Sequence, residues 1–291
     1  MDIVHSRVLS AEDTPLKRSS MSPKKKMIIW ISIAGLYLAA VLFAGIVMSP
    51  DLYGVNYENK FIAPSLAHPF GTDFMGRDMF WRSVKGLSNS IIVGLAASAV
   101  SSVIALIFGV AAAVCGGKVD RMITWLVDCC MGIPHIVLLL LISYMMGRGG
   151  FGVAFAVAVT HWPELTRIVR AEVLQVKNAQ YVKAAEKMGK SKFLIAKEHM
   201  VPHVVPVYIV GLILLFPHAI MHEASLTFLG FGFSSATPAI GGILSEAMRH
   251  IVTGKWWLCL FPGIMLLVAV ILFDKIGDKV KILLNAGDSD D

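Results

Sequence analysis

Charge is scarce in this sequence: Asp, Glu, Lys and Arg make up 16% of its 291 residues, against 56% hydrophobic residues and a mean hydropathy of +0.70. A soluble domain must face water over its whole surface, so this balance excludes one and places the chain in a bilayer. Cysteine is sparse too. Cys115, Cys129, Cys130 and Cys259 lie in or beside apolar runs without CxxC spacing, which excludes a disulfide scaffold and leaves them as small packing residues. There is no GxxxxGK[ST] loop, hence no P-loop nucleotide site in this chain. There is no HExxH either, because Ala219 stands where the glutamate would lie between His218 and His222. With no positioned nucleophile, a metalloenzyme is excluded and no enzymatic activity is expected. The net charge of +6 does not point to nucleic acid, since many of the basic residues sit in short segments between apolar runs.

What the sequence does have is long apolar stretches. A helix needs ~20 mostly apolar residues to cross the hydrocarbon, and six stretches qualify: 27–48, 90–114, 122–146, 151–167, 204–229 and 256–273. The expectation is an all-α integral membrane protein of six transmembrane helices. The third and fourth spans should form a tight hairpin through Gly147, Arg148, Gly149 and Gly150. The first apolar run is too long for a signal-peptide core, so it reads as an uncleaved span after a polar cytoplasmic tail, 1–26. Lysine and arginine stay on the cytoplasmic side of short loops. Lys24, Lys25, Lys26, Lys118, Arg121, Lys275, Lys279 and Lys281 fall on one side of a six-span count, so both termini are expected in the cytoplasm, with 281–291 as the second tail. The same count puts 49–89 and 230–255 outside, and a five-helix core at 90–280.

The segment 168–203 is basic and cytoplasmic by that count. Tyr181, Ala184, Ala185 and Met188, then Phe193, Leu194 and Ile195, recur near helical spacing, with Gly189 between two short amphipathic helices. Any basic loop satisfies the orientation rule. The particular order Tyr181-Val182-Lys183-Ala184-Ala185, Gly189, then His199-Met200-Val201-Pro202 goes further and resembles the "EAA" loop of ABC importer permeases. The stretch Gly71-Thr72-Asp73-Phe74-Met75-Gly76-Arg77-Asp78 resembles the GTDxxGRD signature of their peptide and nickel family. Glu223 to Gly232 is similar to the EAxLSFLGLG ending of its fifth span, and Val119-Asp120 and Pro134 extend the likeness over nearly everything beyond Met27.

This resemblance implies a type I permease fold in a prokaryotic plasma or inner membrane, surrounded by lipid. It implies a second homologous permease subunit, two cytoplasmic ATPases that hold ATP and magnesium, and an extracytoplasmic substrate-binding protein. It also implies that Tyr181, Lys183, Ala184, Ala185, Gly189 and Pro202 belong to a coupling loop seated on an ATPase, through which nucleotide-driven closure drives alternating access. Two alanines allow close helix approach and a glycine the sharp turn after them. Lys183 departs from the family's usual glutamate, so a salt bridge there needs an acidic partner. Asp73, Arg77 and Asp78 are expected to pair locally in a structured external turn.

His218 and His222, four residues apart, share one face of the fifth span. Imidazoles suit nickel, zinc or copper, and ionisable groups inside a membrane segment are expensive enough to read as functional. They are candidate metal ligands, with His161, Met221, Glu223 and Ser225 as candidate substrate-pathway residues. A rise of ~1.5 Å per residue puts His161 and His218 within about 6 Å of the same depth, on one pathway. Hydrogen bonding to a neighbouring helix suits the same histidines. At His161-Trp162, His218 and His222 the chain resembles nickel-importing permeases, while Glu223 is what peptide permeases tend to carry. The cargo expected first is therefore nickel or another transition metal, free or chelated, with dipeptides or oligopeptides as the alternative. An ion-driven secondary transporter is the rival from another class, with His218, His222 and Glu223 as a proton relay. Pro217 and Pro134 mark expected kinks.

Overall fold

The computed structural model describes residues 23–285; the expected tail residues 1–22 and 286–291 lie outside the described residues. Among the described residues the chain is helical, with one isolated β-bridge between Thr72 and Asp78. The helices are α1 (Pro23–Val47), α2 (Met79–Cys115), α3 (Gly117–Gly132), α4 (His135–Met145), α5 (Gly150–Thr160), α6 (Trp162–Lys177), α7 (Gln180–Lys187), α8 (Lys192–Ile195), α9 (Val201–Phe228), α10 (Ile240–Met248) and α11 (Trp257–Asn285). A π-helical turn, Ala196–Met200, joins α8 to α9.

Among the described residues four helical stretches are long and apolar enough to cross a membrane: Lys25–Val47, Met79–Cys115, Lys192–Phe228, which joins α8, the π-helical turn and α9, and Trp257–Leu284. The pair α3 and α4 makes a fifth span if its 95° bend is counted within one crossing. Several expected boundaries move, each for a local reason. The external loop ends at residue 78 rather than 89, because the Asp78 carboxylate accepts from the amides of Phe80 (2.9 Å) and Trp81 (3.3 Å) and starts α2 there. The span expected at 122–146, with a kink at Pro134, is broken outright at Ile133 and Pro134, since proline has no N–H and its ring blocks the preceding turn. The span expected at 151–167 is two helices meeting at His161. Pro163 cannot donate to the carbonyl of Val159, and the indole N–H of Trp162 does so instead, at 3.0 Å. On its own α5 is about 16 Å long, half the hydrocarbon thickness.

The first part of the segment expected as loop, 168–177, continues α6. The last helix runs beyond 273, so residues 281–285 of the expected tail are helical. Through Pro206 and Pro217, α9 continues as one helix.

The long helix α2 is the centre of the fold, touching α1, α5, α6 and α9. Its buried positions are mostly small: Gly86, Ser90, Gly94, Ala97, Ser98, Ser101, Ala105, Gly109 and Ala112. With little side chain in the way, neighbouring helices come close enough for dispersion to hold them, which is how helices associate where lipid is as apolar as leucine. Phe216 and Ile220 of α9 lie on Gly94, and Val169 of α6 lies on Gly109. α1 is also tied by polar contacts, Lys85 Nζ to the Gly45 carbonyl at 2.7 Å and Ser88 Oγ to that of Leu42 at 3.1 Å.

The GTDxxGRD turn holds together through a buried ion network. Asp73 accepts from Arg77 Nε at 2.6 Å and Arg82 Nη1 at 3.1 Å, while Glu246 of α10 accepts from Arg77 at 2.9 Å and Arg82 at 2.7 Å. Asp73 and Arg77 thus pair locally as expected. Asp78 instead caps α2 and accepts from His68 Nδ1 at 2.7 Å. Arg82 and Glu246, which lie outside the motif, complete the network.

Candidate functional site

The break at Pro134 turns the chain back so that His135, the first residue of α4, faces two other helices. Its ring centroid is 4.7 Å from that of His161, at the junction of α5 and α6, and 4.8 Å from that of His222 on α9; the His161 and His222 rings are 5.1 Å apart. One ring nitrogen from each of the three lies within 4.8 Å of the others. All three line a cavity of about 560 Å³ together with His218, Glu164, Thr160 and the turn from Cys130 to Pro134. This shared face fits the four-residue spacing of His218 and His222 and the common depth of His161.

His161 is the most constrained of the three. Its Nδ1 lies 2.9 Å from the Val157 carbonyl, and a carbonyl can only accept, so Nδ1 carries the proton. That leaves a lone pair on Nε2, which is buried and has no hydrogen-bond partner.

The other expected pathway residues lie elsewhere. Glu223 is fully buried, with Thr227 Oγ1 donating to its Oε1 at 2.8 Å, and it is not part of the cavity lining. Neither are Met221 and Ser225, which are exposed; the Ser225 hydroxyl donates to the Met221 carbonyl at 2.8 Å. His135 was missed because it stands alone in sequence, far from the other histidines. The signal available was Pro134 beside it, in a stretch otherwise apolar enough to span.

The basic segment forms a compact handle. Val182 and Ala185 of α7 are buried, while Tyr181, Lys183, Ala184 and Met188 face outward. Gly189, at φ 82°, ends the helix: the amide of Met188 bonds the Ala184 carbonyl at 3.0 Å and that of Lys190 the Ala185 carbonyl at 3.2 Å. Only glycine takes that left-handed geometry without strain. Ser191 then caps α8 by accepting from the Leu194 amide at 3.3 Å. Pro202 sits exposed in the first turn of α9.

The adjoining α6 is fixed to the core. Arg170 pairs with Asp120 of α3 at 2.5 and 2.7 Å, which raises its guanidinium pKa above the ordinary value, and Lys177 Nζ donates to the last carbonyls of α2, Ala113 at 2.7 Å and Val114 at 3.3 Å. One end of α6 thus abuts His161 and the cavity, and the other leads into α7.

A family model described as a binding-protein-dependent transport system inner membrane component matches residues 79–280, beginning at the first residue of α2. The dipeptide transport system permease protein DppC of Bacillus subtilis (strain 168) is 32% identical over 86% of this chain and 80% of its own length. The probable D,D-dipeptide transport system permease protein DdpC of Escherichia coli (strain K12) is 31% identical over 86% of this chain and 84% of its own. The oligopeptide transport system permease protein OppC of Bacillus subtilis (strain 168) is 30% identical over 88% and 84%. A solved structure of inward-facing conformations of the MetNI methionine ABC transporter superimposes with a TM-score of 0.59 at 19% identity, covering 71% of this chain and 97% of its counterpart, a likeness of fold. With its helices, its turn signature and these matches in agreement, the chain belongs to the inner membrane components of binding-protein-dependent transport systems and is a multi-pass permease subunit of an ABC importer.

Proposed function

We propose that this chain is one of two related permease subunits of an importer of short peptides, with both termini in the cytoplasm. An extracytoplasmic binding protein delivers the cargo, and two cytoplasmic ATPases, which hold ATP and magnesium, supply the energy. The observation that carries the cargo class is the set of relatives matched over most of the chain, named for dipeptide, D,D-dipeptide and oligopeptide transport. Nickel or another transition metal, placed first on the sequence alone, gives way to the peptide alternative on that ground. A cavity of about 560 Å³ is also within the ordinary range for small-molecule sites.

The coupling loop works in this proposal as a handle on a lever. Tyr181 and Ala184 face outward on α7, with Met188 and Phe193 exposed beside them at 73% and 78%. An ATPase surface that grips them moves α7, and α6, bolted to α2 and α3, carries that motion about 24 Å to His161 and the cavity. Lys183 calls for an acidic residue on the ATPase.

Uptake of a labelled dipeptide and of nickel ions, measured side by side in cells with and without the gene for this chain, tests the cargo. The proposal expects the dipeptide uptake to be lost on deletion and restored by the intact gene. Loss of nickel uptake with undiminished peptide uptake would overturn it.

A further inference from the structure

We propose that His135, His161 and His222 form a binding site for a borderline divalent transition metal of the nickel, zinc or copper(II) kind, reached from the cavity as a bare ion or inside a small chelate. Three ligands come from three parts of the fold that the Pro134 turn, the His161 junction and α9 bring together. Each offers a ring nitrogen, the ligand such ions favour, and no carboxylate belongs to the trio, which disfavours magnesium and calcium.

The distances are close to those of a ligated ion. Imidazole nitrogens about 2.05 Å from a tetrahedral ion lie roughly 3.4 Å from one another. The three nitrogens here lie within 4.8 Å, so side-chain rotations that close the gap by about 1.4 Å suffice. The second observation is independent of spacing. Nδ1–H of His161 is held by the Val157 carbonyl at 2.9 Å, and Nε2 is buried without a partner. Metal-bound histidines are oriented in this way, one ring N–H to a carbonyl and the other nitrogen to the ion. If the rings were merely packing against each other, a buried nitrogen among two other imidazoles would be expected to find a hydrogen bond. His218 lines the same cavity one turn before His222, and the cavity has room for more than a bare ion.

The inference goes beyond the peptide reading, and its test reads metal at the protein rather than transport. The assembled transporter, with its partner subunits in lipid nanodiscs, is titrated with nickel and zinc ions against a chromogenic chelator. A parallel arm uses nickel bound to a dipeptide. Copper(II) paramagnetic resonance on the unaltered complex counts the coordinating nitrogens. Expected are one ion per copy of this chain, two or three imidazole nitrogens on copper, and a tenfold or greater loss of affinity in each of His135→Asn, His161→Gln and His222→Gln. His203→Gln, on the surface beside Glu172, should leave affinity unchanged. Binding in the first arm identifies the bare ion as ligand, and binding confined to the second identifies the chelate. No saturable metal in either arm, or fewer than two nitrogens on copper in the unaltered complex, overturns the site even where a variant fails to assemble. Peptide uptake by the same complexes reconstituted into proteoliposomes reports separately on the cargo proposal.

Discussion

Arg82 shows how much one side chain holds in this molecule. Its guanidinium is 3% exposed and bridges Asp73, also 3% exposed, to Glu246. Removing it leaves Asp73 and Glu246 to share the single guanidinium of Arg77, one uncompensated negative charge in a buried network, a change that ordinarily costs about 3–5 kcal/mol. Arg82→Ala is therefore expected to lower the thermal midpoint of the purified complex by many degrees in a melting assay, while Lys60→Ala on the exposed part of the same loop leaves it within error. Equal midpoints for both variants would remove the network from the account. Gly76 is a second such position. At φ 73° beside the Asn56 carbonyl, it leaves no room for a Cβ, so Gly76→Ala should unfold the external turn and raise its protease sensitivity. Half of this network was legible beforehand. Asp73 and Arg77 stand within one motif, whereas Glu246 is brought in by α10, and a contact so distant in sequence leaves no local trace.

Among the elements, α2 depends on what its side chains lack. A Cβ on Gly109 would sit 2.6 Å from Val169 Cγ1 and 3.0 Å from the Thr166 carbonyl oxygen. Since α6 cannot yield there without shifting backbone, Gly109→Val is expected to cost about 1–3 kcal/mol. On the proposed lever role of α6, it should also reduce ATP-driven uptake more than it reduces assembly, measured as transport per assembled complex. Helices were legible from apolar runs because any segment facing lipid must satisfy its own backbone. Their interruptions were legible only in part: a kink was expected at Pro134 but not its size, and Pro163 was not singled out, because the two prolines have the same ring, yet one opens a 95° bend and the other a junction closed by the Trp162 indole. The path of the chain at a proline depends on which neighbour takes the carbonyl that the ring orphans. The start of α2 at Met79 was missed for a simpler reason: Arg82, Lys85 and Asn89 end the apolar run, while Asp78 begins the helix.

For the whole molecule, the handle at α7, the helix α6 and the cavity at His161 lie along one continuous path. The motif at 181–202 was readable in the sequence, and so was the histidine pair on α9, but the helix that connects the two was not. It depends on α6 running unbroken through 168–177, where the charge pattern reads as loop. A large or charged side chain on the outward face of α7 should therefore break recruitment without touching the fold. Ala184→Arg is expected to leave the chain in the membrane and abolish co-purification of the ATPase subunits, whereas co-purification at the unaltered level would show that another surface holds them.

The most direct measurement is dipeptide uptake into proteoliposomes that contain this chain with its partner permease and ATPases, with the binding protein added outside and nucleotide trapped within. Uptake should require ATP, be absent when the Ala184→Arg chain replaces the unaltered one in the reconstitution, and survive collapse of the proton and sodium gradients by ionophores. Uptake that persists without ATP and disappears with the ionophores would contradict the account.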